Sequence, residues 1–118
     1  MARSEIPAAW RRRVCAVLKD GTYGKQIVWT GTAAQRFESD SFGAWPRDGI
    51  DAIIAFLSTE SPLGCLVSMG YPPGVTYEFI FPFEGRSFYG KLLLPKDDQK
   101  TVLILSVHLP RDLTLRCD

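Results

Sequence analysis

The strongest constraint on the fold lies in the second half of the chain, where three runs of residues alternate in side-chain character. They span residues 75–83, 86–94 and 101–109, and only Glu84-Gly85 and the polar loop 95–100 separate them. A period of two is typical of β-strands, because successive side chains point to opposite faces of a sheet. Turns this short join antiparallel neighbours. The three runs therefore predict an antiparallel meander.

The first half of the chain predicts helices that would cover this sheet. Apolar residues recur every three or four positions in two stretches: Trp10, Val14, Val17 and Leu18 in 8–19, and Ile50, Ile53, Ile54 and Leu57 in 48–58. This spacing is helical, and Asp48 is the predicted cap of the second helix. Residues 33–40 have a helical composition, whereas 25–30 and 63–69 are shorter strand candidates.

The length of 118 residues suits a single domain, 1–118. Together these segments predict the α+β class, with an antiparallel sheet of three to four strands and two or three helices packed on one face. Alternation also assigns each strand residue to a face. The predicted core face carries Tyr77, Phe79, Phe81, Phe83, Phe88, Leu92, Leu94, Leu103, Leu105, Val107 and Leu109. The predicted open face carries Thr76, Glu78, Ile80, Pro82, Ser87, Tyr89, Lys91, Leu93, Val102, Ile104, Ser106 and His108.

The turns predict which open-face residues are neighbours. A two-residue turn at Glu84-Gly85 places Glu78 opposite Lys91 and Ile80 opposite Tyr89. The loop 95–100 then places Tyr89 opposite Ser106 and Ser87 opposite His108. Residues directly opposite have Cβ atoms ~5 Å apart, so Tyr89, Lys91, Ser106 and His108 are expected within roughly 10 Å of one another.

This group of side chains suits RNA cleavage in which the ribose 2′-hydroxyl attacks the adjacent phosphate. His108 is the one histidine of the chain, and imidazole exchanges protons near neutral pH. Lys91 would neutralise the phosphate and Tyr89 would stack on a base, so these three are the predicted catalytic residues. The predicted substrate-binding residues are Arg86, Arg111, Ser106 and Glu78. No metal or other cofactor is expected.

Each of these residues also has a simpler interpretation. A histidine at a strand end is often only exposed or hydrogen-bonded to the backbone. Lys91 opposite Glu78 is the pattern of a cross-strand ion pair, and Tyr89 suits any half-buried strand. Arg86 has core-face parity, so it would reach the open face only around the rim of the sheet.

Charge and cysteine content limit the functional classes and the compartment that the sequence allows. A net charge of +1 excludes a whole-molecule basic field. Three cysteines about fifty residues apart form neither a dense disulfide framework nor a CxxC metal pair, which favours reduced thiols and the cytoplasm. Neither a leader peptide nor a membrane-spanning run is expected.

Two strand patterns, G-R-x-F-Y-x-K-L and V-x-I-x-S-x-H within residues 77–110, resemble the C-terminal half of bacterial toxins of the RelE/ParE superfamily. The motility quorum-sensing regulator branch is the most similar, and 31–58 resembles its helix, linker and second helix. The resemblance implies an mRNA interferase of a type II toxin-antitoxin pair, acting on free or ribosome-bound mRNA and neutralised by a cognate antitoxin protein. It also implies catalysis by His108, with Tyr89 and Lys91 on the middle strand. The alternative is a non-catalytic protein-interaction module of the same fold, which would dock its partner on the open face or a strand edge.

Overall fold

The computed structural model describes residues 2–22, 24–98 and 100–118 of the chain. In these ranges three helices and six strands follow one another as β1 (Ser4–Glu5), α1 (Ala8–Asp20), β2 (Ile27–Trp29), α2 (Gly31–Asp40), α3 (Pro46–Leu57), β3 (Leu63–Val67), β4 (Gly74–Phe83), β5 (Arg86–Pro95) and β6 (Val102–His108). The predicted α+β class is confirmed. Gln99, in the predicted loop 95–100, lies outside the described residues.

The sheet is larger than predicted and is mixed. Its strand order is β1-β3-β4-β5-β6-β2. The strands β3 to β6 form an antiparallel meander, whereas β2 pairs with β6 in parallel. The prediction of three to four antiparallel strands is wrong for two reasons. The two-residue strand β1 was not predicted, and β2, which lies within the strand candidate 25–30, pairs with β6 in parallel.

The turn between β4 and β5 follows the prediction. Glu84 and Gly85 both have positive φ, 51° and 76°, as in the two-residue turns that match the twist of a hairpin. Phe83 pairs with Arg86, and Glu78 therefore lies opposite Lys91. The predicted register of this hairpin is confirmed along its whole length.

The register between β5 and β6 differs from the prediction by one residue next to the loop and by two residues at the His108 end, because a β-bulge lies between these parts. Tyr89 pairs with His108 and Lys91 with Ser106, but Leu92 pairs with Ile104. Ser87–His108 and Tyr89–Ser106 were therefore the wrong pairs. A bulge adds one residue to one strand and reverses side-chain parity beyond it.

The bulge also corrects the predicted faces of β6. Val102 and Ile104 are fully buried, and Leu103 and Leu105 are only partly buried, which is the opposite of the assignment by alternation. Ser106, Val107 and His108 come after the bulge and keep their predicted faces, with Val107 in the core. The histidine at the end of β6 therefore stays on the open face of the sheet.

One apolar cluster joins the helices to the core face of the sheet. The buried stripe of α1 packs with α3, which contacts β4, while α2 lies on β6. The predicted helix 48–58 begins earlier, at Pro46, because a proline at the first helical position has no amide hydrogen to leave unpaired. Asp48 therefore lies in the first turn rather than at the cap. Within the described ranges, no helix is both long and apolar enough to cross a bilayer.

Residues 109–118 cross the open side of the sheet after β6 and return to β3. Cys117 forms a disulfide with Cys65 of β3, with Cα atoms 5.8 Å apart. The interpretation of the cysteines as reduced thiols is wrong for this pair, which is 52 residues apart in sequence and becomes adjacent only through the fold. Cys15 is a free, buried thiol in α1.

Candidate active site

A cleft of roughly 340 Å³ lies between the open face of β5 and β6 and the segment 109–118. Nine residues line it: Tyr89, Lys91, Ser106, His108, Pro110, Arg111, Asp112, Thr114 and Arg116. Five of the seven predicted site residues are therefore neighbours. The other two, Glu78 and Arg86, are not among the lining residues.

Strand pairing sets the position of the titratable groups. Tyr89 and His108 are directly opposite on β5 and β6, and their rings are stacked at a tilt, with centroids 5.0 Å apart and planes at 32°. Lys91 and Ser106 are the next open-face pair along the strands. The fold therefore places the imidazole of His108 and the ammonium of Lys91 in neighbouring open-face pairs of the same two strands.

Backbone contacts fix the His108 ring and its tautomer. Nδ1 lies 2.9 Å from the carbonyl oxygen of Leu109. A carbonyl only accepts hydrogen bonds, so Nδ1 carries the proton and Nε2 of the neutral ring keeps a lone pair. The Leu109 amide donates to Asp40 Oδ2 at 2.9 Å, which holds Leu109 in place. The simpler interpretation of His108, a hydrogen bond to the backbone, is confirmed, and its role as a base stays a prediction.

The phenol of Tyr89 is held in its protonated form. Its hydroxyl donates to Glu78 Oε1 at 2.7 Å. Burial, and then this hydrogen bond, raise the pKa of Tyr89 above its ordinary value. Tyr89 therefore does not act as a base at neutral pH, and its contribution to the cleft is the aromatic ring and its support of the His108 ring.

Glu78 is buried beneath the cleft, a position that gives its predicted role in substrate binding no support. Only 1% of its surface is exposed. Besides the Tyr89 hydroxyl, its carboxylate accepts from the Arg116 amide at 2.7 Å and lies 3.2 Å from Arg116 Nε. The predicted ion pair of Glu78 with Lys91 is wrong, because this carboxylate is already occupied on the other side.

Lys91 forms no ion pair with a residue in the described part of the chain, although it lies opposite Glu78 in the ladder. Burial, and then the nearby charge of Arg116, lower the pKa of Lys91, while Glu78 opposes that change. The ammonium of Lys91 therefore releases its proton more readily than that of an ordinary surface lysine.

The lining of the cleft is cationic although the chain is nearly neutral. The lining includes three cationic side chains, those of Lys91, Arg111 and Arg116, and one carboxylate, that of Asp112. Asp112 is turned toward its own loop, where it accepts hydrogen bonds from the amide and hydroxyl of Thr114. Such a lining attracts an anion that presents several acceptor oxygens, as a phosphodiester does.

Arg86 lies outside the cleft. Its Nη2 donates to the carbonyl of Asp40 at 2.9 Å, and its guanidinium covers the rings of Phe42 and Phe88. The prediction that it binds substrate has no support from this position, which is on the helix side of the sheet, in accord with its core-face parity.

Arg116 was missed by sequence reasoning. It lies in a segment with neither strand nor helix periodicity, so no pattern assigned it a position. The one usable signal was its neighbour Cys117, since pairing that cysteine with Cys65 would have placed residue 116 beside β3 and its neighbour β4.

Comparisons with protein-family models, with curated proteins and with solved structures found no match to the chain. A functional assignment therefore rests on the chemistry of the cleft.

Proposed function

We propose that the protein is a metal-independent endoribonuclease, the mRNA interferase toxin of a RelE/ParE-like toxin-antitoxin pair. The observation that carries the proposal is one cleft in which Nε2 of His108 keeps a lone pair beside the ammonium of Lys91. Arg111 and Arg116 add charge around the same space. For RNA cleavage the protein has to supply only a base, an acid and cationic groups, because the nucleophile is the 2′-hydroxyl of the substrate itself.

The proposed reaction balances with these groups alone. His108 Nε2 takes the proton of a ribose 2′-hydroxyl, whose oxygen then attacks the adjacent phosphorus. The bond from phosphorus to the 5′-oxygen breaks, and the Lys91 ammonium donates the proton that this oxygen needs. Arg111 and Arg116 stabilise the charge that builds on the phosphoryl oxygens. The products are a 2′,3′-cyclic phosphate and a 5′-hydroxyl.

Tyr89 would orient the substrate in this scheme. Its ring tilts over His108 and is partly exposed in the cleft, where an unpaired base would stack on it. Ser106 lies opposite Lys91, within reach of the same sugar or phosphate. The proposed substrate is mRNA, free or on the ribosome, the proposed site of action is the cytoplasm, and a cognate antitoxin would cover the cleft.

The test is cleavage of a single-stranded RNA by wild type and His108→Gln. We expect wild type to produce cyclic-phosphate ends in the presence of a chelator, and an RNA with 2′-deoxyriboses to stay intact. Loss of the base should lower the rate by about 10² to 10⁴. The thermal transition of the variant should match that of wild type. A folded His108→Gln that cuts at the wild-type rate would refute the role of the histidine.

A non-catalytic interaction module is the second candidate, favoured by two exposed aromatic residues. Phe42 and Trp45 are 86% and 77% exposed, and Trp45 borders a hollow of roughly 270 Å³ beside α2. Exposed aromatic groups of this kind are common at protein interfaces. Induced expression separates the candidates: growth arrest with fragmented transcripts indicates the enzyme, and harmless accumulation indicates the module.

A further inference from the structure

The segment 109–118 supplies more of the cleft than the strands do. Five of the nine lining residues belong to it: Pro110, Arg111, Asp112, Thr114 and Arg116. The segment has no helix and no strand pairing. The position of the segment therefore depends on a small number of side-chain attachments to the rest of the protein. Without those attachments the cleft is incomplete.

Two of these attachments are ionic and one is covalent. Arg116 is held by Glu78, and Asp118 forms a forked pair with Arg3 at 2.9 to 3.2 Å. The Arg3–Asp118 pair is partly exposed to solvent, so water and salt weaken it. The covalent attachment is the Cys65–Cys117 disulfide, directly after Arg116 in the chain.

Arg116 has the geometry of a cationic group placed for a ligand. Its Nε is held by the buried Glu78 carboxylate, which fixes the direction of the guanidinium. The side chain is nevertheless 63% exposed and lines the cleft. A guanidinium anchored at one nitrogen and open to solvent beyond it can present its remaining N–H groups to a phosphate.

We propose that Arg116 binds the phosphate of the nucleic-acid strand and that the Cys65–Cys117 disulfide holds it in the cleft, so that reduction weakens binding. This inference rests on the proposed function, and it adds a means of regulation to the same site.

The switching step is thiol–disulfide exchange with a dithiol reductant. Cys65 is buried and Cys117 is half-buried, so the reductant thiolate attacks Cys117 Sγ and Cys65 leaves as a thiolate. The second thiol of the reductant then displaces Cys117. Two electrons and two protons pass to the protein, giving two cysteine thiols, and the reductant becomes a disulfide.

The experiment measures ligand binding and segment motion in the same samples. The probe is a fluorescent single-stranded deoxyoligonucleotide, which lacks the 2′-hydroxyl and is therefore not cut. It is titrated into oxidised and reduced wild type, Cys65→Ser/Cys117→Ser, Arg116→Gln, and the control Cys15→Ala, which keeps the disulfide. Hydrogen exchange of residues 109–118 reports the position of the segment.

We expect reduction and Cys65→Ser/Cys117→Ser each to weaken binding about tenfold and to accelerate exchange in 109–118, because a charged hydrogen bond is lost. Oxidised Arg116→Gln should bind as weakly as reduced wild type and show no redox dependence. Cys15→Ala should respond to reduction as wild type does.

Three results would overturn the inference, and they differ in what else they affect. Unchanged exchange and affinity on reduction would remove the disulfide's role and leave the proposed nuclease intact. Tighter binding on reduction would mean that the segment blocks the cleft, which contradicts the role of Arg116. Absence of binding in every form would refute the proposed function as well.

Discussion

Glu78 and Arg116 are joined twice, by an amide hydrogen bond of 2.7 Å and by an ion pair of 3.2 Å. Because the carboxylate is buried in β4 and the arginine belongs to the segment 109–118, this contact connects the sheet to the part of the chain that completes the cleft. Tyr89 donates to the same carboxylate. Glu78 therefore binds one cleft residue from the sheet, Tyr89, and one from the segment 109–118, Arg116. It does not itself line the cleft.

Glu78→Gln should destabilise the protein while preserving the size of the side chain. The amide carries no charge, so the bonds from Tyr89 and Arg116 weaken, and we expect a loss of about 2 kcal/mol in the free energy of unfolding. Denaturant unfolding measures it. Glu84→Gln, on the exposed turn of the same hairpin, is the matched control and should stay within about 0.5 kcal/mol of wild type. Equal stability of the two variants would show that the buried contacts of Glu78 make no net contribution to the free energy of unfolding.

Lys91→Gln should weaken nucleic-acid binding and reduce its dependence on salt. Losing one phosphate contact with a single strand lowers the slope of log affinity against log salt by about 0.7. Oligonucleotide titration over a range of salt concentrations measures this slope. Lys96→Gln removes the same charge just beyond β5 and outside the cleft lining. An identical change in both variants would indicate a diffuse charge effect rather than a site.

Gly90→Ala should destabilise the strand that carries Tyr89 and Lys91. An added Cβ would lie 2.9 Å from the Phe79 ring in the buried core, and overpacking of this kind costs about 1 to 3 kcal/mol. Thermal unfolding measures the loss. Gly70→Ala is the control, because a Cβ there meets nothing within 4 Å. A Gly90→Ala variant as stable as Gly70→Ala would mean that the core adjusts without cost.

The sequence was sufficient wherever a periodic pattern was long. Alternation over nine residues in each of the runs 75–83 and 86–94, with the Glu84-Gly85 turn, predicted the register that places Glu78 opposite Lys91. The four open-face residues of the cleft followed from it, even though the second register was wrong. After the bulge Ser106 and His108 kept their predicted face, because the extra residue lies before them in β6.

The rest of the site could not be predicted because no local pattern encodes it. Arg116 reaches the cleft through contacts that are distant in sequence, with Glu78 and through Cys117 with Cys65. The burial of Glu78, which leaves its assignment to substrate binding without support, could not be predicted for the same reason. Side-chain parity places it on the open face, but the returning segment 109–118 covers it.

Tyr89→Phe should remove part of the dependence of stability on alkaline pH. The folded pKa of Tyr89 is raised above its ordinary value of 10.0 by burial and by the bond to Glu78. Above pH 10 the unfolded chain therefore loses a proton that the folded chain retains. The contribution of Tyr89 is fully present below that pH and is lost as the pH rises toward the raised value. Denaturant unfolding on both sides of pH 10 should show a smaller loss in Tyr89→Phe than in wild type. Tyr71→Phe is the control, since its ring is exposed and outside the cleft, and it should lose stability as wild type does. If Tyr89→Phe loses as much stability above pH 10 as that control, the folded protein does not raise the pKa of the Tyr89 phenol.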